Sequence, residues 1–311
     1  MMSECLENYR DSAVTYAAID IGSNAVRLLI KQLEDDLQPR FTKVLLLRVP
    51  LRLGFDVFSN GGGISDRRRK DLVRLMKSYK QLMKIYNVTD YRACATSAMR
   101  DAVNGQEIIK EVRRKTGIEI EIIDGQQEAR MIYNNHIESM RGRRGNYMYV
   151  DVGGGSTEIN LMTDGELICS KSYNIGTVRM LNGAVSDGEW KRFRSDLKDL
   201  AASYPGISIV GSGGNINKLY KLVERRDKRY PRMSTSSLRI LYDRLKDMSV
   251  RQRMEEYELK ADRADVIVPA GEIFLTIADI TGATYIYVPV IGLSDGIIDG
   301  LYTRHLAESG R

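Results

Sequence analysis

Residues 14–31 read VTYAAIDIGSNAVRLLIK, and residues 147–162 read YMYVDVGGGSTEINLM. In each stretch an apolar run reaches an aspartate, one apolar residue and a glycine, and a second apolar run follows. This pattern predicts a β-hairpin with a tight glycine turn. The two aspartates, Asp20 and Asp151, are 131 residues apart. We interpret the repetition as a duplicated α/β unit.

A weaker third copy of the motif occupies residues 207–214, ISIVGSGG, where an apolar strand runs into glycines that open a helix through Asn215–Leu222. Strands and helices alternate elsewhere, which predicts α/β domains with mixed sheets. The predicted strands are Tyr91–Ala95, Ile118–Ile123 and Glu166–Tyr173, and the predicted helices are Asp66–Tyr86, Gln106–Thr116 and residues 186–203, with a helical region over 234–260. Residues 265–302 predict a helix, a strand and a last helix.

The composition indicates a folded protein of about two domains. The chain has 311 residues, of which 43% are hydrophobic and 28% charged, which excludes a disordered tail. Lysine and arginine exceed aspartate and glutamate by 47 to 41, and the whole excess lies in residues 1–150, with 25 basic and 19 acidic side chains. A basic surface of this kind suits a polyanion or a small phosphorylated substrate.

The rarer residue types exclude several classes of chemistry. Three cysteines, Cys5, Cys94 and Cys169, have no CxxC spacing, and the histidines are His136 and His305 alone, so neither a zinc site nor a disulfide framework is predicted. Two histidines disfavour histidine-assisted hydrolases, and we expect carboxylates to do the acid–base work. The polar N-terminus and the lack of a long apolar run predict a cytoplasmic protein without membrane association.

The glycine loops suggest phosphate chemistry. A strand that ends in Asp-x-Gly places a carboxylate at the mouth of a cleft, while the glycines let backbone N–H groups approach a phosphate. Two such loops predict two halves that hold one phosphate chain, with a divalent metal bound by Asp20 and Asp151. This arrangement is typical of the actin-like ATPase fold.

Seven segments, in order along nearly the whole chain, resemble the exopolyphosphatase and guanosine pentaphosphate phosphatase family of that superfamily. They are AAIDIGSNAVRLLI (17–30), ATSAMRDAVNG (95–105), IEIIDGQQEARMIY (120–133), YVDVGGGSTEINL (149–161), GSGGNINKL (211–219), RADVIVPAGEIFL (263–275) and VIGLSDGIIDGLY (290–302). The resemblance implies two actin-like (ribonuclease H-like) domains with mixed five-stranded sheets flanked by helices and an active site in the interdomain cleft. It implies domains at 1–132 and 133–311, in the short two-domain form, with a last helix at about 298–311 that packs back on the first domain.

The resemblance also assigns roles to residues. Glu128 matches the catalytic glutamate, which acts as a general base on water, and Arg100 matches an arginine that contacts phosphate oxygens. Asp151 and Glu158 complete the catalytic set. Gln127 occupies a position where a second glutamate is usual, which puts full activity in question. Asn215 occupies a position where a threonine is common, which puts contacts to a distal phosphate in question.

The remaining implied roles are phosphate binding and metal binding. The phosphate-binding residues are Gly22, Ser23, Asn24, Arg27, Gly153, Gly154, Gly155, Ser156, Thr157, Gly213 and Gly214. The metal ligands are Asp20, Asp151 and Glu158, with Mg²⁺ or Mn²⁺ as the ion. Basic clusters at 67–70, 141–144 and 225–229 are interpreted as solvated faces, with the alternative that they bind a long polyphosphate.

The predicted function is therefore a magnesium-dependent exopolyphosphatase that releases terminal orthophosphate. The first alternative is a guanosine pentaphosphate 5′-phosphohydrolase of the stringent response. A second is a polyphosphate- or nucleotide-binding regulator without turnover, and a third is a kinase or ATPase of the same superfamily. The expected partners are polyphosphate or a phosphorylated guanine nucleotide and a second copy in a homodimer, with no sequence-specific nucleic acid and no membrane.

Overall fold

Two mixed β-sheets form the frame of the protein in a computed structural model that describes residues 14–35, 40–59, 61–140, 144–227, 229–289 and 292–308. The first sheet contains β1 (Thr15–Ile21), β2 (Val26–Asp35), β3 (Arg40–Val49), β4 (Asp90–Ala95) and β5 (Ile120–Ile122). The second contains β6 (Asn146–Val152), β7 (Thr157–Thr163), β8 (Glu166–Tyr173), β9 (Ser208–Ser212), β10 (Arg232–Ser234) and β11 (Tyr285–Tyr287).

The strand orders confirm the duplication. The first sheet has the order β3-β2-β1-β4-β5, and the second has β10-β11-β9-β6-β7-β8. When β10 is left out and the second sheet is read from β8, its strand order β8-β7-β6-β9-β11 matches the order of the first sheet. The expected five strands are therefore wrong for the second sheet, because the three-residue edge strand β10 pairs with β11. β3 was not predicted either, because its side chains are mostly exposed or half-buried and its two faces do not alternate cleanly.

Helices cover the sheets. Those in the first half are Leu53–Val57, Asp66–Ile85, Ser97–Asp101, Gly105–Thr116 and Gly125–Met140. Those in the second half are Thr177–Leu181, Asp187–Ser203, Gly213–Leu222, Thr235–Lys246, Val250–Glu256, Ala261–Ala264, Ile267–Thr281 and Leu293–Glu308. The long predicted helices are present within a few residues, and the five-residue helices escaped prediction because one turn carries no periodicity. No helix among the described residues has the length and apolar character of a membrane span.

The closing helix, Leu293–Glu308, returns to the first sheet. Its buried residues Leu293, Ile297 and Leu301 form one cluster with Tyr16 and Cys94 of that sheet. The helix begins at Leu293, five residues before the predicted start at about residue 298. A Cβ at Gly296 would collide with the Met131 carbonyl oxygen of the helix Gly125–Met140, so glycine allows the two helices to approach closely. This contact fixes the helix that carries Glu128.

Candidate active site

Each hairpin of the duplicated unit places a charged pair across its two strands. In the first hairpin the Cα of Asp20 lies opposite that of Arg27, and the Arg27 Nη1 donates to Asp20 Oδ2 at 2.6 Å. In the second hairpin Asp151 lies opposite Glu158. The duplicated positions thus hold an ion pair in one domain and two carboxyl groups in the other.

The glycine loops of the two hairpins touch each other. A Cβ on Gly154 would lie 3.0 Å from Ser23 Cβ and 3.1 Å from the Asn24 nitrogen. A Cβ on Gly155 would collide with the Ser97 hydroxyl and lie 2.7 Å from Ser23 Oγ. Because no side chain fits between them, the loops of the two sheets approach to backbone distance, and they form the floor of a cleft.

The cleft has a volume of about 410 Å³. Twelve of the predicted site residues line it: Asp20, Gly22, Ser23, Asn24, Arg27, Glu128, Asp151, Gly153, Gly154, Ser156, Gly213 and Gly214. Four others are not among its lining residues: Arg100, Gly155, Thr157 and Glu158. The Thr157 hydroxyl donates to the Ile175 carbonyl at 2.6 Å and is fully buried, so this side chain holds the loop rather than a phosphate.

Glu128 enters the cleft from the first turn of the helix Gly125–Met140. The helix is capped reciprocally, since the Gln127 nitrogen donates to Asp124 Oδ1 at 2.8 Å and the Asp124 nitrogen donates to Gln127 Oε1 at 3.0 Å. Gln127 therefore points outward as a capping residue, and Glu128 points inward. Only 8% of Glu128 is exposed, and its Oε2 has no hydrogen-bond partner.

Burial raises the pKa values of three carboxyl groups in this region. The pKa of Glu128 is well above its usual range because of burial and then the negative charge of Glu158, opposed by Arg100. Burial also raises the pKa of Glu158 to about 7. The Ser172 hydroxyl donates a hydrogen bond to Glu158 Oε1 at 2.9 Å, which opposes this rise. The pKa of Asp151 rises to about 6 through burial, opposed by Arg27. The carboxylate that neighbours Glu128 is therefore that of Glu158, and residue 127 does not supply one.

Comparisons with known proteins place the chain in a family. A family model described as the Ppx/GppA phosphatase family matches residues 30–305. The chain belongs to this family. A guanosine-5'-triphosphate,3'-diphosphate pyrophosphatase of Aeromonas hydrophila is 27% identical over 298 residues, which are 92% of this chain and 59% of the relative. The chain thus spans less than two thirds of that relative. An exopolyphosphatase 1 of Mycobacterium bovis is 25% identical over 268 residues, 80% of this chain and 77% of the relative.

Solved structures confirm the actin-like two-domain fold of the Ppx/GppA family. A crystal structure of the Aquifex aeolicus family member has a TM-score of 0.74 and 28% identity, with 94% of this chain and 99% of that chain covered. A crystal structure of an exopolyphosphatase from Cytophaga hutchinsonii has a TM-score of 0.77 at 20% identity, with 93% and 98% covered. The second likeness supports the fold alone.

Several basic residues of this Ppx/GppA protein line the cleft although the sequence motifs did not single them out. They are Lys43, Arg48, Lys218, Lys221 and Arg263. The first two lie on β3, the strand that was not predicted, which is why they were missed. Arg263 belongs to the quoted segment 263–275, to whose residues the resemblance assigned no role.

Arg263 is a half-buried arginine that forms no ion pair with a carboxylate in the part of the chain that the structure describes. Its Nη1 donates to Asn215 Oδ1 at 3.1 Å, and Asn215 Nδ2 donates to the Val152 carbonyl at 2.9 Å. Burial, and then the positive charges of Arg48 and Arg27, lower the pKa of Arg263 to about 9. Asn215 therefore positions this guanidinium at the cleft.

The other predicted basic residues have structural contacts. Arg100 Nη1 donates to the Ile123 carbonyl at 2.8 Å, and its charge acts on Glu128 although the residue does not line the cleft. In the cluster at 67–70, Arg68 pairs with Asp56. In the cluster at 225–229, Arg226 Nη1 donates to the Tyr220 carbonyl at 3.1 Å. Residues 141–143 and 228 lie outside the described residues.

The cleft offers hard oxygen donors for a divalent ion. No group of three or more acidic, histidine or cysteine ligands is gathered in the described part of the chain. Mg²⁺ is commonly held by one or two carboxylates together with substrate phosphates and water. Asp20 and Asp151 line the cleft, and burial raises the pKa of Asp151 to about 6, an effect that a bound cation would oppose. The donor set therefore fits an ion that a phosphate substrate helps to bind.

Proposed function

We propose that the chain is a phosphohydrolase that releases terminal orthophosphate from inorganic polyphosphate, with water activated by Glu128. The observation that carries this proposal is the buried Glu128 carboxylate, whose Oε2 has no partner, in a cleft lined by the glycine loops of both sheets. A carboxylate with a raised pKa is a suitable base near neutral pH.

In the proposed reaction the water oxygen attacks the terminal phosphorus in line with the bridging oxygen. A bond forms between water oxygen and phosphorus, the bridging P–O bond breaks, and the water proton passes to the Glu128 carboxylate. The shortened chain leaves with the bridging oxygen and its negative charge. Burial makes Glu128 a stronger base than a solvent-exposed glutamate, and the neighbouring charge of Glu158 strengthens it further.

The remaining roles are proposed from the lining of the cleft. The backbone N–H group of Gly154 and the Ser23 hydroxyl would bind the terminal phosphate. The Gly153 nitrogen donates to the Ser156 carbonyl at 2.9 Å and the Ser156 hydroxyl bonds Glu158, so these two groups hold the loop. Asp20 and Asp151 would hold Mg²⁺ or Mn²⁺, with Glu158 behind Asp151. The bound ion would neutralise negative charge on the phosphates.

The charges along the cleft favour polyphosphate over a guanine nucleotide. Five basic side chains outside the predicted set line the cleft: Lys43, Arg48, Lys218, Lys221 and Arg263. No Phe, Tyr or Trp is present among the described residues that line it, so no aromatic surface stacks a base. A chain of phosphates needs distributed positive charge and no stacking surface. Guanosine pentaphosphate is the second candidate, because the Aeromonas relative is named for this nucleotide, guanosine 5'-triphosphate 3'-diphosphate.

Phosphate release by the purified protein with Mg²⁺ tests the proposal. Tripolyphosphate, long-chain polyphosphate, guanosine pentaphosphate and ATP are offered in parallel. We expect the highest kcat/KM with polyphosphate. Faster release from guanosine pentaphosphate would select the second candidate, faster release from ATP would select an ATPase, and no release from any of the four would select the binding regulator.

A further inference from the structure

We propose that a hollow of four lysines on the first domain is a second anion site that holds the remote part of a long polyphosphate chain. The lysine hollow consists of Lys77, Lys80, Lys84 and Lys115, with Ser78, Gln81 and Thr116 completing its wall. Its volume is about 450 Å³, and no acidic residue lines it. The identity of the occupant rests on the proposed function.

The helical geometry places these lysines together. Lys77, Lys80 and Lys84 follow each other at intervals of three and four residues, which puts them on one face of the helix Asp66–Ile85. Lys115 comes from the end of the neighbouring helix Gly105–Thr116.

Few of these charges are compensated by protein groups. Lys115 pairs with Glu111 on its own helix, and Lys80 Nζ donates to the Thr116 carbonyl at 2.5 Å. Lys77 and Lys84 are exposed and form no ion pair with a carboxylate among the residues that the structure describes. Several uncompensated ammonium groups around one hollow attract a multiply charged anion.

Helix ends explain only part of the arrangement. Lysines in a last turn offset the negative end of the helix dipole, which accounts for Lys84 and Lys115. Lys77 lies eight residues before the end of its helix at Ile85, beyond the last turn where this effect acts. A dipole role therefore does not account for the position of Lys77 in the hollow.

The hollow and the cleft lie at opposite ends of the first sheet. The helix Asp66–Ile85 ends near the start of β1 and β4, where the Thr89 nitrogen donates to the Thr15 carbonyl at 2.7 Å. The cleft lies where β1 ends, next to Gly22. A seven-residue strand is about 23 Å long, so a long chain can reach both sites and tripolyphosphate reaches only one.

Binding of polyphosphate by Glu128→Gln protein, in which we expect slow turnover, tests the inference without relying on activity. The test variant adds Lys77→Gln and Lys84→Gln, and the control adds Lys191→Gln and Lys198→Gln, two exposed lysines seven residues apart on the helix Asp187–Ser203. We expect the test pair to weaken long-chain binding at least about three-fold at low salt. Its log–log salt slope should become shallower by about one, and tripolyphosphate binding should not change.

Three results would overturn the inference: no loss of long-chain binding, an equal loss in the control pair, or an equal loss for tripolyphosphate. Single-stranded RNA is titrated in parallel, and an equal lysine-dependent affinity for RNA would overturn the assignment to polyphosphate. If the wild type releases no phosphate but the binding result holds, the proposed function fails and the second site stands.

Discussion

At the scale of single residues, the site concentrates negative charge that folding does not neutralise. Glu128 and Glu158 are buried and Asp151 is half-buried, and the pKa values of all three are raised. Below their ordinary pKa values these groups are protonated in both states. Between these ordinary pKa values and the raised ones, about 6 for Asp151 and about 7 for Glu158, the unfolded chain releases protons that the folded protein keeps. Stability therefore falls as the pH rises through this range, and the pKa of Glu128, which is also raised, adds to the loss.

The charge of Glu128 therefore lowers the stability of the protein at alkaline pH. We expect Glu128→Gln, without divalent ions, to raise the free energy of unfolding at pH 8 by about 1 to 3 kcal/mol, and to have little effect at pH 5. Urea unfolding of both proteins at the two pH values measures this. Glu107→Gln, at an exposed glutamate of the helix Gly105–Thr116, is the control. A loss of stability at pH 8 would contradict the account.

Arg263 carries a positive charge at the cleft that no carboxylate of the described residues pairs with, and we expect it to contact the substrate. Replacement by lysine keeps a positive charge but loses the planar group that contacts Asn215. We expect Arg263→Lys to raise the KM for polyphosphate about ten-fold with a smaller change in kcat, as measured by steady-state phosphate release. Arg194→Lys, on an exposed arginine, should leave both constants unchanged. An unaltered KM in Arg263→Lys would remove this residue from the substrate site.

At the scale of elements, two hairpins with the same strand order meet through their glycine loops. Their contact depends on the missing side chains of Gly154 and Gly155, while the cross-strand partners of the two aspartates differ in charge. The fold thus brings the loops together, and the residues at the duplicated positions decide which loop carries excess negative charge.

Gly155→Ala tests the loop contact. The new methyl group would lie 2.6 Å from Phe58 Cζ and 2.7 Å from Ser23 Oγ, so the loops must separate. We expect a loss of about 1 to 3 kcal/mol of stability and a fall of ten-fold or more in phosphate release. Gly188→Ala, whose nearest neighbour is 3.9 Å away, should have neither effect. Normal activity in Gly155→Ala would show that the loops need not touch.

The two hairpins could be predicted from the sequence, because the turn at Asp-x-Gly and the apolar runs on either side of it depend on neighbouring residues alone. The segment that bears Glu128 could also be predicted. The sequence did not reveal the capping role of Gln127, which depends on a reciprocal bond to Asp124. Arg48 and Arg263 were missed because their place in the cleft follows from tertiary contacts, such as the ion pair of 2.5 Å between Arg48 and Asp262.

At the scale of the whole molecule, the two sheets are joined by the loop contact, by ion pairs and by the closing helix. Arg52 pairs with Asp265, and Arg48 with Asp262, across more than two hundred residues of sequence. The carboxylates of both hairpins therefore face one cleft, in which a divalent ion would bind both halves.

We expect Mg²⁺ to raise the Tm of the protein at pH 8, where the carboxylates are ionised, and much less at pH 5, where protons compete with the ion. Asp151→Asn should abolish this shift, whereas Asp187→Asn, at an exposed aspartate, should preserve it. Thermal unfolding with and without Mg²⁺ is the measurement. An equal shift at both pH values would show that the ion binds elsewhere.

The central claim is that Glu128 activates the attacking water, and the rate of phosphate release from polyphosphate by Glu128→Gln tests it most directly. The account predicts a fall in kcat of about 10² to 10⁴-fold with polyphosphate binding retained, and an unchanged rate in Glu107→Gln. Turnover by Glu128→Gln within a few-fold of the wild type would contradict it.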